Sequence, residues 1–189
     1  MLPYRILKSR RLTSLLCLAA RPAPRLLEEP ARFVLTDLRT TQAITIDKGA
    51  SLATAHEEMR ENMVRLLFVV NSEHAVEGIV TAYDLYGESP VRVATEEMSP
   101  LEDVVVSKVM ASIETLPAFD VAEVDKACIG DIYHTLQSYG SRYGIVADSA
   151  CRDLCGLFSA HAIAKQTGLS IAPFELPQTF GALAKAIGG

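Results

Sequence analysis

Gly78-Ile79-Val80-Thr81-Ala82-Tyr83-Asp84 and Gly156-Leu157-Phe158-Ser159-Ala160-His161-Ala162 are one phrase written twice, with Ser159 following Thr81 by 78 positions. Each runs a short apolar strand into a hydroxyl residue and then into a predicted helix. A hydroxyl at that junction can cap the helix, and the free backbone N–H groups there attract phosphate. Three residues after the hydroxyl the first copy carries Asp84, whose two oxygens could accept both hydroxyls of a ribose. The second copy carries Ala162 at that place and cannot do so.

The duplication extends outward from the phrase. In the first copy Ile44-Thr45-Ile46 alternates as a strand. Leu52, Ala55, Met59 and Met63 then recur at helical spacing and share one face. Val64-Arg65-Leu66-Leu67-Phe68-Val69-Val70 is nearly all apolar, the pattern of a strand covered on both faces. Asn71 to His74 turn the chain, Val76 to Val80 return it, and a short helix from Ala82 stops near Gly87 and Pro90. In the second copy Glu114-Thr115-Leu116-Pro117 is a weak opening strand. Ile129, Ile132, Leu136 and Tyr139 form the helix face, and Ser141 to Ala147 form the central strand. Leu154 to Phe158 return, and a last helix runs from Ala160 to Gly168. Arg142 follows Arg65 by 77 positions, so the second hairpin turn has gained one residue. An acidic piece, Asp120 to Asp125, is extra to the second copy.

The reading is therefore α/β of the α+β type: two β-α-β-β-α units that pack sheet on sheet about a pseudo-twofold axis. Five segments follow: a basic arm at 1–30, a first repeat at 31–90, a linker at 91–103, a second repeat at 104–168 and a tail at 169–189. Ala31 to Asp37 and Val104 to Met110 precede the two copies in equivalent places. Phe174, Leu176, Phe180, Leu183 and Ile187 make the tail too apolar to read as disordered.

Composition narrows the function. A chain of 189 residues with 49% hydrophobic content can bury a sizeable core, hiding roughly 70% of its unfolded surface. Arg5, Lys8, Arg10, Arg11, Arg21 and Arg25 all precede the first acid, Glu28. The remaining 12 Lys and Arg face 23 Asp and Glu, and so acidic a body repels nucleic acid. There is no Trp, which argues further against stacking on single strands. Leu12 to Ala20 is too short to span a bilayer, and packing on the core or a partner fits this arm better than an export signal. Cys17, Cys128, Cys151 and Cys155 form no CxxC pair and the four histidines share no ligand spacing. Buried thiols in a reduced, cytoplasmic protein follow, with no metal. Neither a nucleophile beside a base, a P-loop nor a dinucleotide fingerprint is present, so no catalytic residue is assigned.

The ordered set from Met63 to Asn71, the turn, and Gly78 to Asp84, repeated in both halves, resembles a tandem CBS-domain pair, or Bateman module, here a stand-alone one. The resemblance covers roughly residues 31–168. It implies a disc with up to two clefts that, in the family, often bind AMP, ADP, ATP or S-adenosylmethionine. Carried onto this chain, it puts Asp84 on the ribose hydroxyls and Thr81 near the ribose or first phosphate. Arg65 and Arg142 stand where relatives often place phosphate-facing cations, and Ser159 is the second copy's counterpart of Thr81. With Ala162 in place of the acid, the second cleft is empty or takes something else. The implied function is a non-catalytic regulatory sensor acting on an unknown effector, with homodimers pairing through helices and the Leu12-Leu15-Leu16 stripe.

The same residues also have plainer roles. Asp84 can serve only the helix dipole, Thr81 and Ser159 only as N-caps, and Arg65 and Arg142 as surface ends of strands. Gly78 and Gly156 suit close backbone approach. On those roles the chain is a ligand-free dimerisation or protein-interaction module.

Overall fold

The structure is a computed structural model, and it describes residues 23–151 and 153–169. Residues 1–22, with Cys17 and the Leu12-Leu15-Leu16 stripe, and residues 170–189, nearly all of the expected tail, lie outside the described residues.

A 3-10 turn at Ala31–Val34 and a short strand β1 (Thr36–Asp37) precede the first copy. Strand β2 (Thr45–Asp47), helix α1 (Leu52–Glu61), strands β3 (Leu66–Val70) and β4 (Val76–Thr81), and helices α2 (Ala82–Tyr86) and α3 (Ser89–Glu96) follow. After 3-10 turns at Leu101–Asp103 and Val106–Lys108 come β5 (Ala111–Ser112), a 3-10 turn at Ile113–Thr115 and β6 (Ala118–Asp120). Helices α4 (Val121–Val124) and α5 (Ile129–Ser138), strands β7 (Tyr143–Asp148) and β8 (Asp153–Ser159), and helix α6 (Ala160–Thr167) complete the second copy. Gly168 ends α6 at φ 75°, in the left-handed region where only glycine is free of strain.

Two four-stranded sheets result, in the orders β2-β3-β4-β5 and β6-β7-β8-β1. The duplication reaches their details: both central hairpins are antiparallel and both carry a bulge, at Val69/Val70 and at Val146/Ala147. Phe68, Ile79, Leu116, Ile145 and Leu157 form one buried cluster. It draws on both hairpins and covers the sheet face that one unit alone would leave wet.

The copies also exchange segments. Strand β1 precedes the first copy yet pairs with β8, and β5 precedes the second copy's strands yet pairs with β4. Ala31 and Val34 complete the second copy's helix-side core, while Val104, Val106 and Val109 complete the first copy's. Each of these valines contributes roughly 1.5–3 kcal/mol on full burial, so each half is stabilised by residues of the other. Gly78 and Gly156 permit the exchange. A Cβ at Gly78 would stand 2.4 Å from the Ala111 carbonyl oxygen, and one at Gly156 2.6 Å from Leu35 Cδ1. Residues 23–30 run along the second copy, where Arg25 N donates to Gln166 O (2.8 Å) and Gly130 N to Leu27 O (2.9 Å).

Several sequence expectations are corrected. Helix α1 ends at Glu61, so Met63 has φ 54° and is 92% exposed rather than facing the core. Tyr139 is likewise the C-cap of α5 and lies exposed. The second copy's opening strand is β6, because Glu114 and Thr115 close a 3-10 turn capped by the Ser112 hydroxyl. Residues 91–103 carry most of α3 (Ser89–Glu96), with Pro90 in its first turn. Of the described thiols, Cys155 is buried, Cys128 half-buried and Cys151 exposed.

Candidate functional site

Strand β4 delivers Thr81 to the N-cap of α2, and β8 delivers Ser159 to the N-cap of α6. Both junctions are fixed by the strand opposite: Ala82 N donates to Arg65 O (3.0 Å) and Ala160 N donates to Arg142 O (2.9 Å). The duplicated arginines therefore hold duplicated positions, each at the head of a central strand and beside the other hairpin arm's helix start.

The two caps differ as their sequences do. In the first copy the Asp84 N–H points at Thr81 Oγ1, while Asp84 Oδ2 accepts both Thr81 N (2.8 Å) and Thr81 Oγ1 (2.7 Å). This is a capping box, so the helix-cap roles of Thr81 and Asp84 are real. It also corrects the expectation that both Asp84 oxygens stand open: Oδ2 is occupied, and among the described residues no hydrogen bond reaches Oδ1. In the second copy Ser159 Oγ accepts Ala162 N (3.3 Å) with no carboxylate to answer it.

Around Asp84 the halves meet. The Arg142 guanidinium lies over the Tyr83 ring, 4.1 Å from its centroid. Burial pushes the Tyr143 phenol above its usual range; the Asp84 carboxylate adds to the rise, and Arg142 and Arg65 pull it back. Asp84, Arg65 and Arg142 thus share one field around Tyr143, and among the described residues none of the three has an ion-pair partner. Thr81 is buried, Asp84 and Arg142 half-buried and Arg65 exposed. Ser159 joins the group only through the pairing of β8 with β7, where it faces Tyr143.

Tyr83 and Tyr143 were missed by sequence reasoning. Tyr143 occupies the place of Leu66 in the repeat, so an aromatic in an otherwise aliphatic register was the available signal. Cavities of about 320 and 470 Å³ lie elsewhere, and neither is lined by any of the five expected residues. No helix among the described residues is long and apolar enough to cross a membrane.

Residues 35–90 match the CBS domain family. No curated protein matches the chain. Among solved structures it is similar to an uncharacterised conserved protein from Pyrococcus horikoshii, at 17% identity and TM-score 0.54, covering 75% of this chain and 93% of that one. CBSX2 from Arabidopsis thaliana, crystallised in complex with AMP, is 18% identical at TM-score 0.50, over 72% of this chain and 94% of that one. The CBS domain of a bacterial CNNM/CorC family Mg2+ transporter, in complex with an inhibitor, is 18% identical at TM-score 0.54, over 77% and 80%.

Proposed function

We propose that this protein, which carries a CBS domain and has the fold of a tandem CBS pair, is a non-catalytic regulatory module. It takes an adenosine-containing ligand beside Asp84, with AMP the first candidate and ADP, ATP and S-adenosylmethionine as others. The observation that carries this reading is Asp84 at the capped start of α2, with the Arg142 guanidinium of the other copy lying over the neighbouring Tyr83 ring. Asp84 Oδ1 accepts a ribose hydroxyl, and the guanidiniums of Arg65 and Arg142 face phosphate. Such charge-assisted hydrogen bonds contribute roughly 1.5–3 kcal/mol each. The complex of one similar structure with AMP supports the choice of ligand.

Binding across the two copies alters their packing, and an effector protein reads the change. Calorimetry with AMP, ATP and S-adenosylmethionine tests the reading. Saturation below about 1 mM, lost in Asp84→Ala, is the expected result. No heat from any of the three discards it.

The second reading, an assembly module, is favoured by one surface. Tyr86, Val91 and Leu101 are 65%, 59% and 52% exposed. Tyr86 and Leu101 line a cavity of about 470 Å³ beside α1, α2 and the Leu101–Asp103 turn, and Val91 and Leu101 line a second of about 320 Å³. We read this face as the contact of a homodimer in the cytoplasm. Sedimentation at micromolar concentration is expected to show a dimer that Leu101→Asp dissociates. A monomeric wild-type protein overturns it.

A further inference from the structure

The second copy's extra piece opens a cavity that the first copy keeps shut. Two isolated bridges set the correspondence, Ser51 with Val105 in the first copy and Cys128 with Pro30 in the second. One step on, Val106 N donates to Ala50 O (2.9 Å), and Ala31 N donates to Ala127 O (2.9 Å). A further step closes the first copy, where Ser107 N donates to Lys48 O (2.9 Å). The matching residues of the second copy are Arg32 and Asp125, and no backbone hydrogen bond joins them. Instead α4, capped by Asp120 at Ala122 N (2.8 Å), lifts the chain away. A cavity of about 320 Å³ lies between, with Arg32 on one wall, Asp125 on another and Val146 and Cys155 on its floor.

Its charges are opposite and separated. Arg39 also lines the cavity but closes on Asp37, with Nε to Oδ1 at 2.9 Å and Nη2 to Oδ2 at 2.8 Å, so this pair adds no net charge. Arg32 rests 5.2 Å from the Phe33 ring centroid, and among the described residues neither Arg32 nor Asp125 has an ion-pair partner. The rest of the lining, including Leu35 and Val124, is mostly apolar. The volume sits at the lower end of small-molecule pockets.

We propose that this cavity binds a free α-amino acid with an apolar side chain. Its carboxylate meets the Arg32 guanidinium, its ammonium meets the Asp125 carboxylate, and its side chain covers Val146 and Cys155. A zwitterion is the ligand class that satisfies one cation and one anion together while leaving the site neutral. Guanidinium–carboxylate pairing supplies direction as well as attraction.

Calorimetry on the full chain with L-leucine, N-acetyl-L-leucine and L-leucinamide tests this. Leucine is expected to bind with Kd of about 1 mM or tighter, and each analogue, lacking one charge, about tenfold or more weakly. Arg32→Gln and Asp125→Asn, both at exposed positions, are expected to weaken leucine about tenfold, and Asp84→Ala to leave it unchanged. Absence of binding by leucine, isoleucine and phenylalanine overturns the proposal. So does leucinamide or N-acetyl-leucine binding as tightly as leucine on the wild-type protein, a comparison that needs no variant to fold. Undiminished leucine binding in both charge variants overturns it as well.

Discussion

The guanidinium of Arg142, at the head of the second copy's central strand, lies 4.1 Å from the ring centroid of Tyr83 in the first copy's α2. This contact ties the halves together outside the sheet-on-sheet core, and it holds a cation over the helix start that carries Asp84. Tyr83 is 61% exposed, so the pair sits near water, where a cation–π contact is worth about 0.5–1 kcal/mol. Tyr83→Ala and Arg142→Ala are each expected to lower the unfolding free energy by about that amount. Urea unfolding checks it through a double-mutant cycle, in which the double variant loses little more than either single one. Fully additive losses contradict the coupling.

The asymmetry of the caps is testable as a stability difference. Thr81 and Asp84 answer each other in the first copy, whereas Ser159 caps α6 unaided. Thr81→Val is expected to cost about 1 kcal/mol, the usual value of a lost cap. Ala162→Asp installs the missing acid in the first turn of α6, where a carboxylate also meets the helix dipole, and is expected to add about 0.3–1 kcal/mol. Thermal unfolding at low salt reads both. A loss of stability in Ala162→Asp contradicts the equivalence of the two helix starts.

The exchanged strands predict an ordering of two glycine substitutions. A methyl group at Gly78 meets backbone, the Ala111 carbonyl oxygen at 2.4 Å, so β5 must move. At Gly156 the first obstacle is Leu35 Cδ1 at 2.6 Å, the end of a side chain that can rotate, with Thr36 O at 3.1 Å behind it. Overpacking costs typically about 1–3 kcal/mol. Gly78→Ala is expected at or above the top of that range and Gly156→Ala lower within it. Chemical denaturation ranks them, and the reverse order removes the argument that β5 crosses the tighter place.

What the chain discloses by itself follows from which signals are periodic. The duplicated phrase, the apolar run Leu66–Val70 and the helix starts at Thr81 and Ser159 all repeat with a fixed pattern, so they are legible. The exchange of β1 and β5 is not, because a two-residue strand has no period and its partner lies more than a hundred residues away for Thr36 and Leu157. Helix ends misled for the same reason: Met63 and Tyr139 continue the helical spacing, but the chain has already left the helix. Of the candidate site, Thr81 with Ser159 and the two arginines were readable as a repeated motif, and Asp84 as the place where the copies differ. The aromatic pair Tyr83 and Tyr143 was not, since its importance lies in contacts between halves. The extra acidic piece was visible as an insertion, whereas the cavity it opens depends on a hydrogen bond made only in the other copy.

Part of the acid lability is expected from two carboxyls of the second copy. The Ser149 hydroxyl, which donates to Asp120, holds that carboxyl below the usual aspartate range, with the Ala122 N–H adding to the effect. Asp131 is lowered by the Cys128 N–H (2.9 Å), followed by the Cys128 thiol. For a carboxyl lowered on folding, the unfolded chain takes up its proton first as pH falls. The stabilisation is therefore complete above the unfolded value, about pH 4, and drains away as pH falls through the folded-state value. Melting temperature is expected to be flat from about pH 6 to 5 on account of these groups and to drop below about pH 4. In Asp120→Asn and Asp131→Asn the starting stability is lower and the acid slope shallower. Thermal melts across this interval check the pair, and slopes identical to wild type in both variants contradict the assignment.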